Sequence, residues 1–300
     1  MVNRGRGGLT CQTLARRLPD ALQTVKCGLR AAVNAAFSML CTLSPAWAEP
    51  PSRVVSMNLC TDQLAMMLAA PGQLVSVSHL ATDPLVSSMV DQAAAYPKNR
   101  GGAEQIFLMK PDLVLAGSYG SLASVDLLRG LGVKVVQVPP IISLAEVPQQ
   151  ILLVGQALGR EAEAQALADD FTTRLAALAH DGPKATAALY YPNGYTTGTG
   201  TLADDVLDHV GFHNIAGEAG LTGGGTLPLE RLVMAAPQVV VTSTAYPGAS
   251  RSEEILVHPA LEVLRQSAGI TTTSDADWVC GTPHILRALG EMKKAREALE

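Results

Sequence analysis

Charge is the first thing this sequence lacks. Asp, Glu, Lys and Arg make up only 16% of its 300 residues, against about 25% in an ordinary soluble domain. Aromatics are scarcer still, at four Phe, two Trp and six Tyr. No cluster of Lys and Arg forms a basic patch beyond the first 30 positions, which excludes a nucleic-acid partner. Five cysteines are too few for a disulfide framework to replace a core. Metal-ligand spacing is also missing. His209 and His213 lie four apart, but Gly211 between them should end the helix, and His79, His180, His258 and His284 show no pattern. Thr197-Gly198-Thr199-Gly200-Thr201 lacks the Lys of a P-loop and the third glycine of a dinucleotide fingerprint, so it reads as a strand-to-helix turn capped by Thr201. No nucleophile elbow or Ser/His/Asp set is visible, so neither catalytic residues nor a cofactor is expected. What remains plentiful is core material, with 48% hydrophobic residues.

The basic residues that do cluster lie at the start. Arg4, Arg6, Arg16, Arg17, Lys26 and Arg30 precede an apolar run over 31–43, then Ser44-Pro45-Ala46-Trp47-Ala48. Small residues at the two positions a signal peptidase reads predict a signal peptide over 1–48, cleaved after Ala48, and hence a periplasmic location. The apolar run is too short for a permanent anchor. Cys41 follows Leu40 rather than a small residue, so no lipid anchor is expected. Removal of the leader takes away six basic residues and one acid, leaving 16 against 26, and leaves Cys60 and Cys280 as the cysteines of the mature chain.

The mature chain reads as α/β. Strands are expected over Arg53–Met57, Leu74–Ser78, Leu113–Ala116, Val133–Val138, Lys184–Tyr191, Gln238–Thr242 and Ile270–Thr273, with helices between them. Thr61 or Asp62 is the expected cap of the first helix. A helix-forming stretch over 143–179, interrupted near Gly159 and stopped by Asp181-Gly182-Pro183, is long enough to join two lobes. Within it, the connecting helix is placed at 159–181, between an N-terminal lobe over 51–158 and a C-terminal lobe over 184–300. One segment occurs twice. Glu104 stands seven residues before Pro111, and Glu230 seven before Pro237, each with an apolar helical stripe between and a strand after. The Glu falls near a helix start, where the dipole favours its charge, and the Pro ends the helix. One copy per half suggests related lobes.

These motifs, from Glu104 through Lys110-Pro111-Asp112 to Leu115 and from Glu230 to Val241, resemble the helical-backbone (class III) substrate-binding proteins of ABC importers, which include vitamin B12-binding and iron-siderophore-binding proteins. Gly211-Phe212-His213-Asn214-Ile215, His258-Pro259-Ala260-Leu261 and Asp277-Trp278 add to the likeness, which covers Arg53 to about Met292. The resemblance implies two parallel-sheet α/β lobes joined by a single long helix, with a ligand cleft between them. It implies a monomer that captures a metal chelate (a corrinoid or ferric siderophore) and no catalysis. It further implies that Glu104 and Glu230 dock against arginines of the membrane permease, as charge-assisted pairs would allow.

Ligands of open α/β sheets bind beyond the carboxyl ends of the strands. Those ends nominate Cys60, His79, Asn99, Arg100, Tyr119, Tyr191, Tyr195, Trp278 and Cys280 as ligand-binding. The four aromatics offer flat apolar faces with polar ends, and Arg100 a charge for an anionic chelate. Cys60 and Cys280, one in each half, are open to three readings: free and partly buried, ligand-facing, or paired. A disulfide across the cleft runs against expectation, because it would lock a working binder. A free metal-ion binder and an exported α/β enzyme are the competing readings.

Overall fold

The computed structural model describes residues 49–244, 250–267, 269–273 and 275–300; the signal peptide expected over 1–48 lies outside them. Two sheets dominate. The first has five parallel strands in the order β3-β2-β1-β4-β5: β1 (Val54–Ser56), β2 (Leu74–Ser78), β3 (Lys98–Asn99), β4 (Leu113–Gly117) and β5 (Val135–Val138). The second has β11 (Gly269–Thr273), β10 (Val239–Ser243), β6 (Ala185–Leu189) and β8 (Phe212–Asn214) in that order, again parallel. A two-stranded antiparallel ribbon, β7 (Tyr195–Thr197) with β9 (Gly224–Thr226), accompanies it. The expected α/β fold with two parallel sheets is therefore present. Val54, Val55, Leu113, Val114 and Leu115 have no exposed surface, as do Val240 and Val241. That is why these strands read as continuous apolar runs rather than alternations.

Helices cover the sheets. In chain order they are α1 (Leu59–Leu68), α2 (Val90–Ala93), α3 (Ala103–Leu108), α4 (Leu122–Gly130), α5 (Val147–Leu158) and α6 (Glu161–Ala176). There follow α7 (Leu202–His209), α8 (Leu229–Ala235), α9 (Pro259–Ser267), α10 (Asp275–Trp278) and α11 (Ile285–Glu297). The helical break foreseen near Gly159 is real: Gly159 is left-handed and closes α5. Of the stretch placed at 159–181, α6 occupies 16 residues, about 24 Å at 1.5 Å per residue. One apolar cluster runs from Val54, Leu113 and Leu115 of the first sheet, through Ile151, Val154 and Phe171 of α5 and α6, to Leu189 and Val241 of the second. Leu289 and Met292 of α11 complete it. Burial of this kind contributes roughly 25 cal/mol per Å², so the sheets share a core.

The repeated motif proves to be a splice. In the first half α3 ends, Lys110 takes a left-handed φ of 51°, Pro111 follows, and Asp112 turns back onto the start of β1. Its carboxylate accepts from Ser52 N at 2.7 Å, Ser52 Oγ at 2.9 Å and Arg53 N at 3.0 Å. Arg53 in turn donates to the carbonyls of Lys110 (3.2 Å) and Met109 (2.8 Å), closing the end of α3. In the second half α8 ends at Ala236 with φ 42°, Pro237 follows, and Gln238 meets the start of β6. Gln238 Oε1 accepts from Thr186 N at 3.1 Å, while Gln238 N donates to Thr186 Oγ1 at 3.1 Å. Both copies thus tie the two central strands of a sheet together at their amino ends.

Candidate functional site

In the first sheet β2 and β3 run off one side of β1, and β4 and β5 off the other, so the winding reverses between β1 and β4. Beyond the carboxyl ends of these strands, adjacent helices diverge and leave a crevice. A cavity of about 240 Å³ lies there. Asn58 and Thr61 line it after β1, Gly117 at the end of β4 and Tyr119 after it, and Pro139 and Ile141 after β5. Leu202, at the start of α7, and Val279 and Gly281, beyond α10, reach it from the other half.

Local sequence builds each wall. Asn58, extended at φ −143°, caps α1 by accepting from Cys60 N at 3.0 Å. The cap is thus Asn58, not the expected Thr61 or Asp62. Those two turn inward instead: Thr61 Oγ1 meets Ser56 Oγ at 2.7 Å. Asp62 accepts from Ser78 N at 3.1 Å and Ser78 Oγ at 2.5 Å. Burial pushes the Asp62 carboxyl up to about 6, and the hydrogen bonds from Ser56 and Ser78 and the nearby His79 only partly offset it. Gly117 leaves room for the Asn58 amide, since a Cβ there would come within 2.9 Å of Asn58 Nδ2. Thr201 caps α7, accepting from Asp204 N at 3.2 Å, as its sequence implied. The positive ends of α1 and α7 therefore both meet the cavity. None of the described residues lining it carries a formal charge.

Of the nine ligand-binding candidates, the fold brings Cys60 and Tyr119 to this cavity. Tyr119 is 87% exposed on its rim. Cys280 lies directly behind it, because Cys60 and Cys280 are joined as a disulfide with Cα atoms 5.3 Å apart. This corrects the expectation that a bond across the cleft is disfavoured. The loop after α10 packs onto the amino end of α1, which puts the two residues in bonding range despite a separation of 220 positions.

Asn99 is a second correction. It is fully buried, and its amide donates to Ser56 O (2.8 Å), Ser76 Oγ (3.0 Å) and Val77 O (3.0 Å) while accepting from Gly101 N. That amide joins three strands and has nothing left for a ligand. His79 and Arg100 are exposed and stand outside the cavity lining. Tyr191 and Tyr195 pair with each other, ring centroids 6.4 Å apart, also away from it. Tyr195 lays its hydroxyl over Gly224, where a Cβ would come within 2.2 Å, so the ribbon takes up that ring. Trp278 packs against the shared core, next to the cavity residue Val279. Asn58, which the strand-end rule also reaches, lines the cavity as well. The residues missed, Pro139, Ile141, Val279 and Gly281, divide in two. The first two follow β5, within reach of the strand-end rule; the last two need the long-range pairing.

The two Glu of the repeated motif are exposed at the starts of α3 and α8. In a parallel sheet, helices begin at the carboxyl edge of the strands, the edge on which the crevice opens. Glu230 lies close enough to the buried Tyr190, the residue after β6, to add to the effect of burial in raising its phenol pKa. Among the described residues no group of three or more His, Cys, Asp and Glu is placed to hold a metal ion, and no helix is long and apolar enough to cross a membrane.

Comparison with known proteins agrees with this geometry. The profile of the periplasmic binding protein family matches residues 54–265. An uncharacterised ABC transporter substrate-binding lipoprotein of Bacillus subtilis is 26% identical over 207 residues, 65% of this chain. The match spans 64% of that relative's length. A periplasmic heme-binding protein from Roseiflexus sp. RS-1 superposes with a TM-score of 0.68 at 24% identity, covering 81% of this chain and 97% of its own. The periplasmic vitamin B12 binding protein of Vibrio cholerae gives 0.64 at 20%, covering 83% and 98%. These likenesses share the fold, and the proteins concerned are binders rather than enzymes. The chain belongs to the periplasmic binding protein family, with the architecture of its helical-backbone class.

Proposed function

We propose that this chain is the exported, solute-binding component of an ABC importer, a monomer that catches a metal chelate outside the cytoplasm and hands it to the permease. The observation that carries the reading is the uncharged crevice at the switch point of the first sheet, faced by two helix starts. A free metal ion needs convergent anionic or imidazole ligands. A chelate needs apolar walls and a few hydrogen-bond donors for its periphery. Ile141, Val279 and the Tyr119 ring supply the walls, and Asn58 and the helix starts the polar partners. The absence of charge from the described lining favours a chelate that presents a neutral or amide-rich face, such as a corrinoid, over a polyanionic siderophore. Haem, the ligand in the name of the Roseiflexus protein, belongs to the same class of planar chelates. At about 240 Å³ the crevice is smaller than the ~300–1,000 Å³ usual for enclosed ligands, so it seats one face or edge of such a molecule.

Delivery rests on Glu104 and Glu230. Their exposure and their matched places at the crevice edge of the two sheets support docking onto permease arginines. Changing both to Ala should leave chelate affinity intact and abolish stimulation of the reconstituted importer. Normal stimulation would remove that assignment. The ligand reading is tested by titrating the processed protein with cobalamin, cobinamide, haem, a ferric hydroxamate and free ferric ion, while following Trp278 emission. One chelate should bind at a one-to-one ratio and the free ion should not. Failure of every chelate would leave the fold intact and the function wrong.

A further inference from the structure

Residues 276–282, the end of α10 and the loop that follows it, attach to the first half at four places. Cys280 is bonded to Cys60 at the amino end of α1. Thr282 Oγ1 donates to Gln63 Oε1 at 2.8 Å, two buried side chains from opposite halves. Ser88 Oγ donates to Ala276 O at 2.5 Å and to Asp277 Oδ1 at 2.8 Å, and Arg287 Nε of α11 holds the same carboxylate at 2.8 Å. Gly281 lies against Ile141, so close that a Cβ would fall 1.6 Å from Ile141 Cδ1. The non-covalent seam is incomplete by itself, because Gln63 Nε2 is buried without a partner among the described residues.

From this we infer that segment 276–282 is a fixed wall of the ligand crevice, and that the Cys60–Cys280 disulfide sets the width of the crevice. Val279 and Gly281 face the cavity from a segment that cannot swing away while the bond is intact. The inference rests on the crevice being the ligand site, as proposed above. Class-typical modest closure is thereby reduced further: this protein selects by fit to a pre-formed groove, and Val279, 53% exposed at its edge, is a specificity-determining residue. In an oxidising compartment such a bond persists. A preformed site loses less freedom on binding, so release rather than capture is the step the lock slows.

The test compares the oxidised protein with its Cys60→Ser/Cys280→Ser variant by amide hydrogen exchange and by release of haem or cobinamide. Peptides covering 276–284 should exchange at least tenfold faster in the variant, while those from α3 and β10 stay unchanged, and release of whichever probe binds should quicken by a similar factor. Unchanged exchange in 276–284, or two free thiols in the oxidised protein denatured without reductant, would overturn the inference. If neither probe binds the oxidised protein, the ligand reading fails while the exchange result still decides the wall. Should the serine variant not fold, dithiothreitol-reduced wild type gives the same comparison. Val279→Trp, which fills the groove with the bond intact, should weaken probe binding at least tenfold; equal binding would remove Val279 from the site.

Discussion

The two halves use the same splice and differ in what they build beyond it. In each, a short helix ends at a left-handed residue before Pro, and the next residue ties the starts of two central strands together. The first half uses a carboxylate, Asp112, with three donors from Ser52 and Arg53; the second uses a neutral amide, Gln238, exchanging two bonds with Thr186. At the opposite edge the halves diverge. The chain leaves β1 straight into α1 and leaves a crevice open, whereas after β6 it turns through Tyr190 and Tyr191 into the β7–β9 ribbon. A repeated sequence motif therefore marks scaffold, and the crevice opens where the two halves differ.

Severing the halves should have the largest effect. A bond closing 220 positions restricts the unfolded chain by about 5 kcal/mol in the chain-entropy account. The Cys60→Ser/Cys280→Ser variant should thus lose 2–5 kcal/mol in urea unfolding; a loss under 1 kcal/mol would show that the halves cohere without it.

Next comes an asymmetry in pH. Among the described residues, the first half alone buries a carboxyl, Asp62. With its folded pKa near 6 against 3.8 unfolded, the native state binds the extra proton between those values. Stability should therefore fall as pH rises from about 4 to 6, by on the order of 2–3 kcal/mol, and Asp62→Asn should flatten that limb. A wild-type profile that is flat there would contradict the burial argument.

The splice itself gives the smaller effects. Asp112→Ala leaves the Ser52 and Arg53 amides without their acceptor and should cost about 1–2 kcal/mol, against about 1 kcal/mol for Gln238→Ala. Burial acts to raise the Asp112 pKa, but its donors outweigh that and hold it below the ordinary value. Its contribution is thus present above about pH 4 and fades as pH falls further. The Gln238 contribution should be independent of pH. Equal costs with parallel pH profiles would mean that charge plays no part in the splice.

Much of this was legible in the sequence. Strands β1, β2, β4, β5, β6 and β10 are largely apolar runs, and a doubly covered parallel sheet needs such runs; β11 was legible from its β-branched Ile and Thr instead. The strands β3, Lys98-Asn99, and β9, Gly224-Gly225-Thr226, carry no apolar pattern; pairing with a neighbour makes them strands. Thr61 and Asp62 look like caps by residue type, yet Asn58 stands where the backbone turns and takes the role, freeing both for the core. Tyr119 and Cys60 follow strand ends, and the rule that found them also found Asn99, which burial diverts into structure. The Cys60–Cys280 bond was not legible, because proximity across 220 residues is a property of the whole fold rather than of local spacing.

The central claim concerns where the chelate sits. Crystals of the protein with the chelate that binds, measured at the absorption edge of its metal, give that position from one anomalous peak. The peak should fall in the crevice bounded by Asn58, Tyr119, Ile141 and Val279. A peak over the β7–β9 ribbon, or at an exposed histidine such as His79, would contradict the account.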